Sequence, residues 1–331
     1  GAEQELTVAD NPAAVSSQQE PDSEEKSIAV LPFVNMSSDP EQEFFSDGIS
    51  EEILNALARV KELKVAGRTS SFAFKGQNQD LRQIGEALGV NHILEGSVRK
   101  AGDQVRITAQ LIQVEDGFHL WSDTYDRELD DIFAIQDEIA TAILGQLNAA
   151  LLEMPVSAPT TTESRAYELY LLAKQNIRER TDSSLQTAAS QLDQAISIDP
   201  GFAPALAQRA VAELLLSAEE YGTIPNEQSR SNAKLWIDQS LALDSNLDEA
   251  WAALGLYWVQ ATDRSERLNG IEPLERALSI NPNLTDASNW LQGVMADQGR
   301  LRDSIAILEQ MRERDPLYRP AINNLVLRYS V

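Results

Sequence analysis

Three carboxylates, Glu43, Asp47 and Glu51, recur every four residues in the stretch EQEFFSDGISEEI. On a continuous helix that spacing stacks them on one face. There they could hold a hard cation or do general acid–base work, as in a hydrolase. A hard cation wants six or more oxygen ligands, and no D-x-D-x-D-G loop accompanies them. The same residues have an electrostatic use, because carboxylates near a helix start are favoured by the helix dipole and by solvent. Gly48 interrupts the set and weakens a continuous helix there. His119 and Trp121 in GFHLWSDTYD fall on one strand face, with Asp123 nearby. A histidine beside an aspartate could shuttle protons. The alternative is a half-buried strand face carrying one satisfied imidazole. His92 opens the preceding strand and carries less signal still.

Other chemistries lack material. The chain has no cysteine and two histidines, which excludes thiolate chemistry and leaves little for a multi-histidine metal centre. EGSVRKAGD is a hairpin turn rather than a phosphate loop, and IGEALG lacks the spacing of a dinucleotide fingerprint. Neither G-x-S-x-G nor H-E-x-x-H occurs. The expectation is therefore a non-catalytic protein with no catalytic residues, metal or cofactor. A formal net charge of −25 over 331 residues disfavours direct nucleic-acid binding and contact with an anionic membrane surface. No apolar run reaches the ~18–20 residues of a membrane span.

The elements that would position these residues follow from patterning. Residues 1–26 are rich in Glu, Gln, Ser, Ala and Pro and are expected to be a disordered tether. Ile28–Val34 is a β-prone run whose Pro32 marks a strand end or edge. Asp39, Pro40 and Gln42 form a helix start with a D-x-x-Q capping box. Phe45, Ile49, Ile53, Leu57 and Val60 then trace one helical face. A strand around Leu63–Ala66 and a helix Leu81–Leu88 closed by Gly89 come next. An antiparallel hairpin turning at Gly102, a further strand in FHLWSDTYD and a helix Ile132–Leu147 complete a mixed sheet with packed helices, an α/β domain over 27–152.

A Pro- and Thr-rich linker, 153–164, separates this domain from an all-α segment, 165–331. The phrases AISIDP, SLALDS, ALSINP and EQMRERDP each close a helix, at Pro200, Ser245, Pro282 and Pro316. Their spacings are 45, 37 and 34 residues, and the last is the ~34-residue tetratricopeptide (TPR) period. Trp251, Leu254, Gly255 and Trp258 fall on W-x2-L-G-x2-Y, so both tryptophans are expected in the packing, while Trp236 and Trp290 are harder to assign. Four repeats are expected, the fourth incomplete, with an insertion near SAEEYGTIPNEQ. RPAINNLVLRYSV would be a first helix lacking its second, so the natural protein is expected to continue past Val331. By register, Ala252, Leu256, Val259, Gln260, Asn289, Asn323 and Leu327 should line the inner groove of a TPR superhelix. Such a surface suits a protein or peptide partner or a small neutral ligand.

Taken in order, SIAVLPFVNMSSDPEQEFFSDGISEEI, RTSSFAFKG, IGEALGVNHILEGSVRKAGDQVRITAQLI, HLWSDTYDRELDDIFAIQDEIA and AYELYLLAKQ resemble the TolB amino-terminal-like domain joined to TPR repeats. The resemblance covers Ser27 to about Leu147 and extends into the repeats. It implies the extracytoplasmic sensory or interaction part of a bacterial membrane-anchored transcriptional regulator of the CadC/ToxR-like kind. The tether would then follow a membrane helix outside the chain, in the periplasm, and a homodimer is compatible with the arrangement. The alternatives are the sensor module of an adenylate cyclase, an envelope scaffold without signalling, and a carboxylate-dependent hydrolase.

Overall fold

The computed structural model describes residues 26–77, 79–147, 161, 163–218 and 224–329. Most of the expected tether and linker lies outside these residues. The first part is an α/β domain and the second an all-α array. Its strands are β1 (Ser27–Val30), β2 (Val34–Asn35), β3 (Lys64–Val65), β4 (His92–Ala101), β5 (Gln104–Gln113) and β6 (His119–Glu128). They form one mixed sheet in the order β3-β1-β4-β5-β6, with β2 also paired to β4. β1 is parallel to both its neighbours, whereas β4, β5 and β6 run antiparallel. Because β1 is covered on both faces, its apolar residues need no alternation and all four positions are buried. In β5 the alternation is real, and Val105, Ile107, Ala109 and Leu111 face the core. Pro32 falls just after β1, where no ladder donor is required.

Helices α1 (Glu43–Ala58) and α4 (Ile132–Gln146) cover one face of the sheet. On the other lies α3 (Leu81–Leu88), which buries Ile84 and Leu88 against Ala29 and Ile93, while the short α2 (Arg68–Phe72) follows β3 and reaches α1 through the Arg68–Glu51 ion pair. α3 begins on the Asp80 side chain, which accepts from Arg82 N at 3.0 Å, and ends at Gly89. Gly89 has φ +64°, a left-handed conformation that glycine adopts without Cβ strain. The start of α1 departs from the expected capping box. Asp39 caps a single 3-10 turn, Pro40–Gln42, by accepting from Glu41 N at 2.9 Å. Gln42 does not reach back: its buried Oε1 has no hydrogen-bond partner among the described residues. α1 proper starts one residue later and continues through Gly48.

The array consists of the helix pairs α5 (Ser164–Glu179) and α6 (Asp182–Ile198), α7 (Ala203–Leu216) and α8 (Asn226–Leu243), α9 (Asp248–Val259) and α10 (Ile271–Ile280), and α11 (Thr285–Asp297) and α12 (Leu301–Arg314). α13 (Arg319–Tyr329) follows. The fourth repeat is thus a complete pair, and α13 packs Ala321 and Leu325 against Leu308 and Met311 of α12. The expected insertion falls between α7 and α8, partly outside the described residues. Gly255 lies where α9 meets Leu274 of α10 too closely to leave room for a Cβ, which accounts for the small residue at that position.

The two parts do not have separate cores. One apolar cluster runs from β1, α1 and α4 through Tyr167, Leu171 and Ala173 of α5 into Leu192, Phe202 and Leu214. Tyr167 packs edge-on to Phe133 of α4, ring centroids 4.7 Å apart, and accepts a hydrogen bond from Gln136 Nε2 at 2.8 Å. Among the described residues no helix is long and apolar enough to cross a membrane.

Candidate functional site: a charge cluster between the domain and the array

α1 presents Glu43, Asp47 and Glu51 on one face, and that face meets the array. Each carboxylate has a cation. Lys75 reaches Glu43 at 2.7 Å and Asp47 at 2.6 Å. Glu51, only 7% exposed, takes Arg68 Nε at 2.7 Å, Lys174 Nζ at 3.3 Å and the Arg178 guanidinium. Arg68 belongs to α2, whereas Lys174 and Arg178 lie one turn apart on α5. The carboxylate therefore ties the α/β domain to the first repeat. It is buried rather than part of the solvated charge expected for the carboxylates of this helix.

The network extends further into the interface. Lys174 also contacts Glu52 at 2.7 Å and Glu249 at 3.2 Å, and Tyr170 OH donates to Glu249 at 2.9 Å. Arg59, at the end of α1, pairs with buried Asp248 at 2.9 Å. Burial pushes the Glu51 carboxyl upward, but Arg178, Lys174 and Arg68 together outweigh it and hold the group well below the usual carboxylate range. For Glu249 burial wins, and the pKa is raised despite Lys174. Burial likewise raises Asp47 against the pull of Lys75. Burial disfavours the charged form of Lys174, yet Glu52, Tyr170 and Glu249 raise its pKa well above normal.

A second contact clasps the far end of the array to the same face. The turn between α12 and α13 supplies Asp315, whose Oδ1 accepts from Ser70 N at 2.7 Å and Ser70 Oγ at 2.5 Å. Its Oδ2 accepts from Thr69 N at 3.3 Å. Asp315 thereby satisfies the free N–H groups at the start of α2 from another part of the chain. Gly67 N donates to Arg314 O at 2.6 Å, and Leu317 N donates to Ser70 Oγ at 2.8 Å. Asn283 Nδ2 donates to Val65 O at 3.1 Å, and Lys64 pairs with Glu313 at 2.9 Å. The start of α9 and the turns that end α10 and α12 thus line one edge of the array, and α1, β3 and α2 rest on it.

The groove residues expected from register are scattered in role. Ala252 and Leu256 are buried, Ala252 among Leu274, Ala287 and Leu291 and Leu256 in the main core, so the groove reading fails for these two. Val259 packs at the edge of the α9–α11 cluster. Gln260 accepts at its side chain from Ser217 Oγ, 3.3 Å, and at its carbonyl from Asn226 Nδ2, 3.2 Å. Asn289 Oδ1 accepts from Gln292 and Asn324, each at 3.3 Å. Asn323 and Leu327 are exposed on α13.

His119 is exposed rather than half-buried, because the β5–β6 register shifts between Leu111 and Ile112 and breaks the expected alternation. Asp123 Oδ1 accepts from Thr124 N at 2.7 Å. His92 Nδ1 lies 3.0 Å from Ser27 O. Trp251 and Trp290 pack at the edge of the array core, and Trp236 lies under the Arg209 guanidinium at 4.2 Å. Among the described residues no group of three His, Asp or Glu side chains is placed to hold a metal ion. The interface cations were not singled out from sequence, since Lys174 and Arg178 lie more than 120 residues from the Glu51 they meet.

Residues 24–142 match the family described as the second domain of HilA/YgeH-like transcriptional regulators. A curated relative, putative adenylate cyclase 3 of Rhizobium meliloti (strain 1021), is 44% identical over 180 residues. That alignment spans 53% of this chain and 30% of the relative. Among solved structures, TolB from Acinetobacter baumannii is 17% identical over 38% of this chain and 28% of its own, with a TM-score of 0.28. A thermophilic TPR protein from Thermus thermophilus is 14% identical over 61% of this chain and 96% of its own, with a TM-score of 0.42.

Proposed function

We propose that this chain is the regulatory and interaction module of a larger bacterial signalling protein, without catalytic activity of its own. Binding of a partner or ligand to the array changes how it holds the α/β domain, and that change passes to an output domain outside the chain. The observation that carries this reading is the Glu51 cluster, where one buried carboxylate joins α1, α2 and α5. An interface that depends on buried ion pairs rather than apolar contact alone can switch between discrete arrangements. The match of residues 24–142 to a transcriptional-regulator domain supports a regulatory role. An extracytoplasmic position next to a membrane anchor belongs to the same proposal. It predicts that protease added to spheroplasts cleaves this region of the whole protein, and protection would count against it.

The output is the open choice. The 44% identity to a protein named as an adenylate cyclase favours a cyclase output as the second reading. In the whole protein, Glu51→Gln and Asp315→Asn should each shift the output, promoter activity or cyclic AMP production, at least several-fold at unchanged protein level. Output identical to wild type in both variants would overturn the regulatory reading.

A further inference from the structure

A cleft of about 270 Å³ opens beside the Glu51 cluster, between α1, α2 and α5. Arg68 and Arg178 line it together with exposed Gln175, and Phe44, Gly48 and Leu171 supply its apolar lining. Arg68 gives Nε to Glu51 and lies over the Phe72 ring at 3.9 Å. Arg178 gives Nη2 to the same Glu51 oxygen. Each guanidinium has five N–H groups, and among the described residues Glu51 is the acceptor each of them reaches, so most of their donors remain for a ligand. The carboxylates that also line it are engaged or peripheral: Asp47 is held by Lys75 through both oxygens, and Glu179 is exposed at the rim.

We infer that this cleft binds a small organic anion. Its carboxylate or phosphate group would take the spare donors of Arg68 and Arg178, and its apolar body would lie along Phe44, Gly48 and Leu171. Planar guanidinium groups suit such oxyanions because they donate two parallel hydrogen bonds. The chain carries a net charge of −25, so a bound anion would be recognised by local convergence and not by the overall field. Arg68 belongs to the α/β domain and Arg178 to the array, so an occupant ties the two together and stabilises the docked arrangement. The signalling consequence rests on the regulatory reading; the binding itself does not.

Calorimetric titration and thermal unfolding with benzoate, butyrate and inorganic phosphate, against sodium chloride at equal ionic strength, test the site. Saturable binding is expected for at least one of the three. Preference for benzoate or butyrate identifies a carboxylate source, and preference for phosphate a phosphorylated one. Arg178→Gln should weaken binding about tenfold or more, the usual effect of losing a charge-assisted pair. Gln175→Glu should do the same; position 175 is exposed, so that variant keeps the fold even if Arg178→Gln does not. No response beyond chloride, or equal binding by Gln175→Glu and wild type, would overturn the inference. Such a failure leaves the output assay of Glu51→Gln and Asp315→Asn untouched, so the two proposals fail separately.

Discussion

Glu51 is ionised where burial alone would keep a carboxyl neutral, because three cations from two elements surround it. Replacing it with glutamine leaves those cations without their shared counter-ion. Removing one partner of a buried ion pair costs about 3–5 kcal/mol, and chemical denaturation at pH 7 should show a loss of that size. The pH dependence has a definite sign. Glu51 has a depressed folded-state pKa, so its contribution is complete above the unfolded value of about 4.3 and is lost as pH falls from there towards the folded value. The gap between wild type and Glu51→Gln should therefore narrow on acidification. Glu249 works the other way. Its pKa is raised, so protonation favours the fold, and this gain is lost as pH rises from the unfolded value through the folded one. Glu249→Gln should accordingly reduce the decline in stability between about pH 4.3 and neutrality. A wild-type minus Glu249→Gln difference that is flat with pH would contradict this assignment.

At the scale of elements, α1 does two jobs: it crosses between β1 and β3, and it carries the array. Its apolar stripe was legible because Phe45, Ile49, Ile53 and Leu57 repeat at helical spacing. The hairpin and α3 were legible for the same local reason. The role of Gly48 was not. It looked like a weak point in a helix, yet a Cβ there would stand 2.7 Å from Leu171 Cδ1. Its small size admits α5, whose Leu171 is itself buried. Helix propensity alone predicts that Gly48→Ala stabilises by about 1 kcal/mol. Overpacking predicts the opposite, a loss of about 1–3 kcal/mol. We expect a loss at Gly48→Ala that shrinks in a Leu171→Ala background, measured as a double-mutant cycle. A gain in the wild-type background would remove the close approach as the reason for the glycine.

Across the whole molecule, the sequence marked two domains, while in the folded chain the main apolar cluster runs continuously from β1, α1 and α4 into α5 and the first repeats. Composition and periodicity report local elements, and neither can show that residue 315 caps a helix starting at residue 68. The same distance hid the ion pairs of α5 and α9 with α1. Fold class and repeat period survived because they depend on spacing along the chain; the interface depends on partners brought together only by the superhelix. The central claim is that the α/β domain and the array form one coupled unit. Hydrogen exchange of Asp315→Ala tests it most directly. The substitution removes three hydrogen bonds at the start of α2, a loss of about 1–2 kcal/mol by analogy with helix caps. In a coupled unit, protection should fall together in α1, α2, α5 and α13. Faster exchange confined to α2 and the turn around residue 315, with α1 and α5 unchanged, would show that the two parts open independently and would contradict the account.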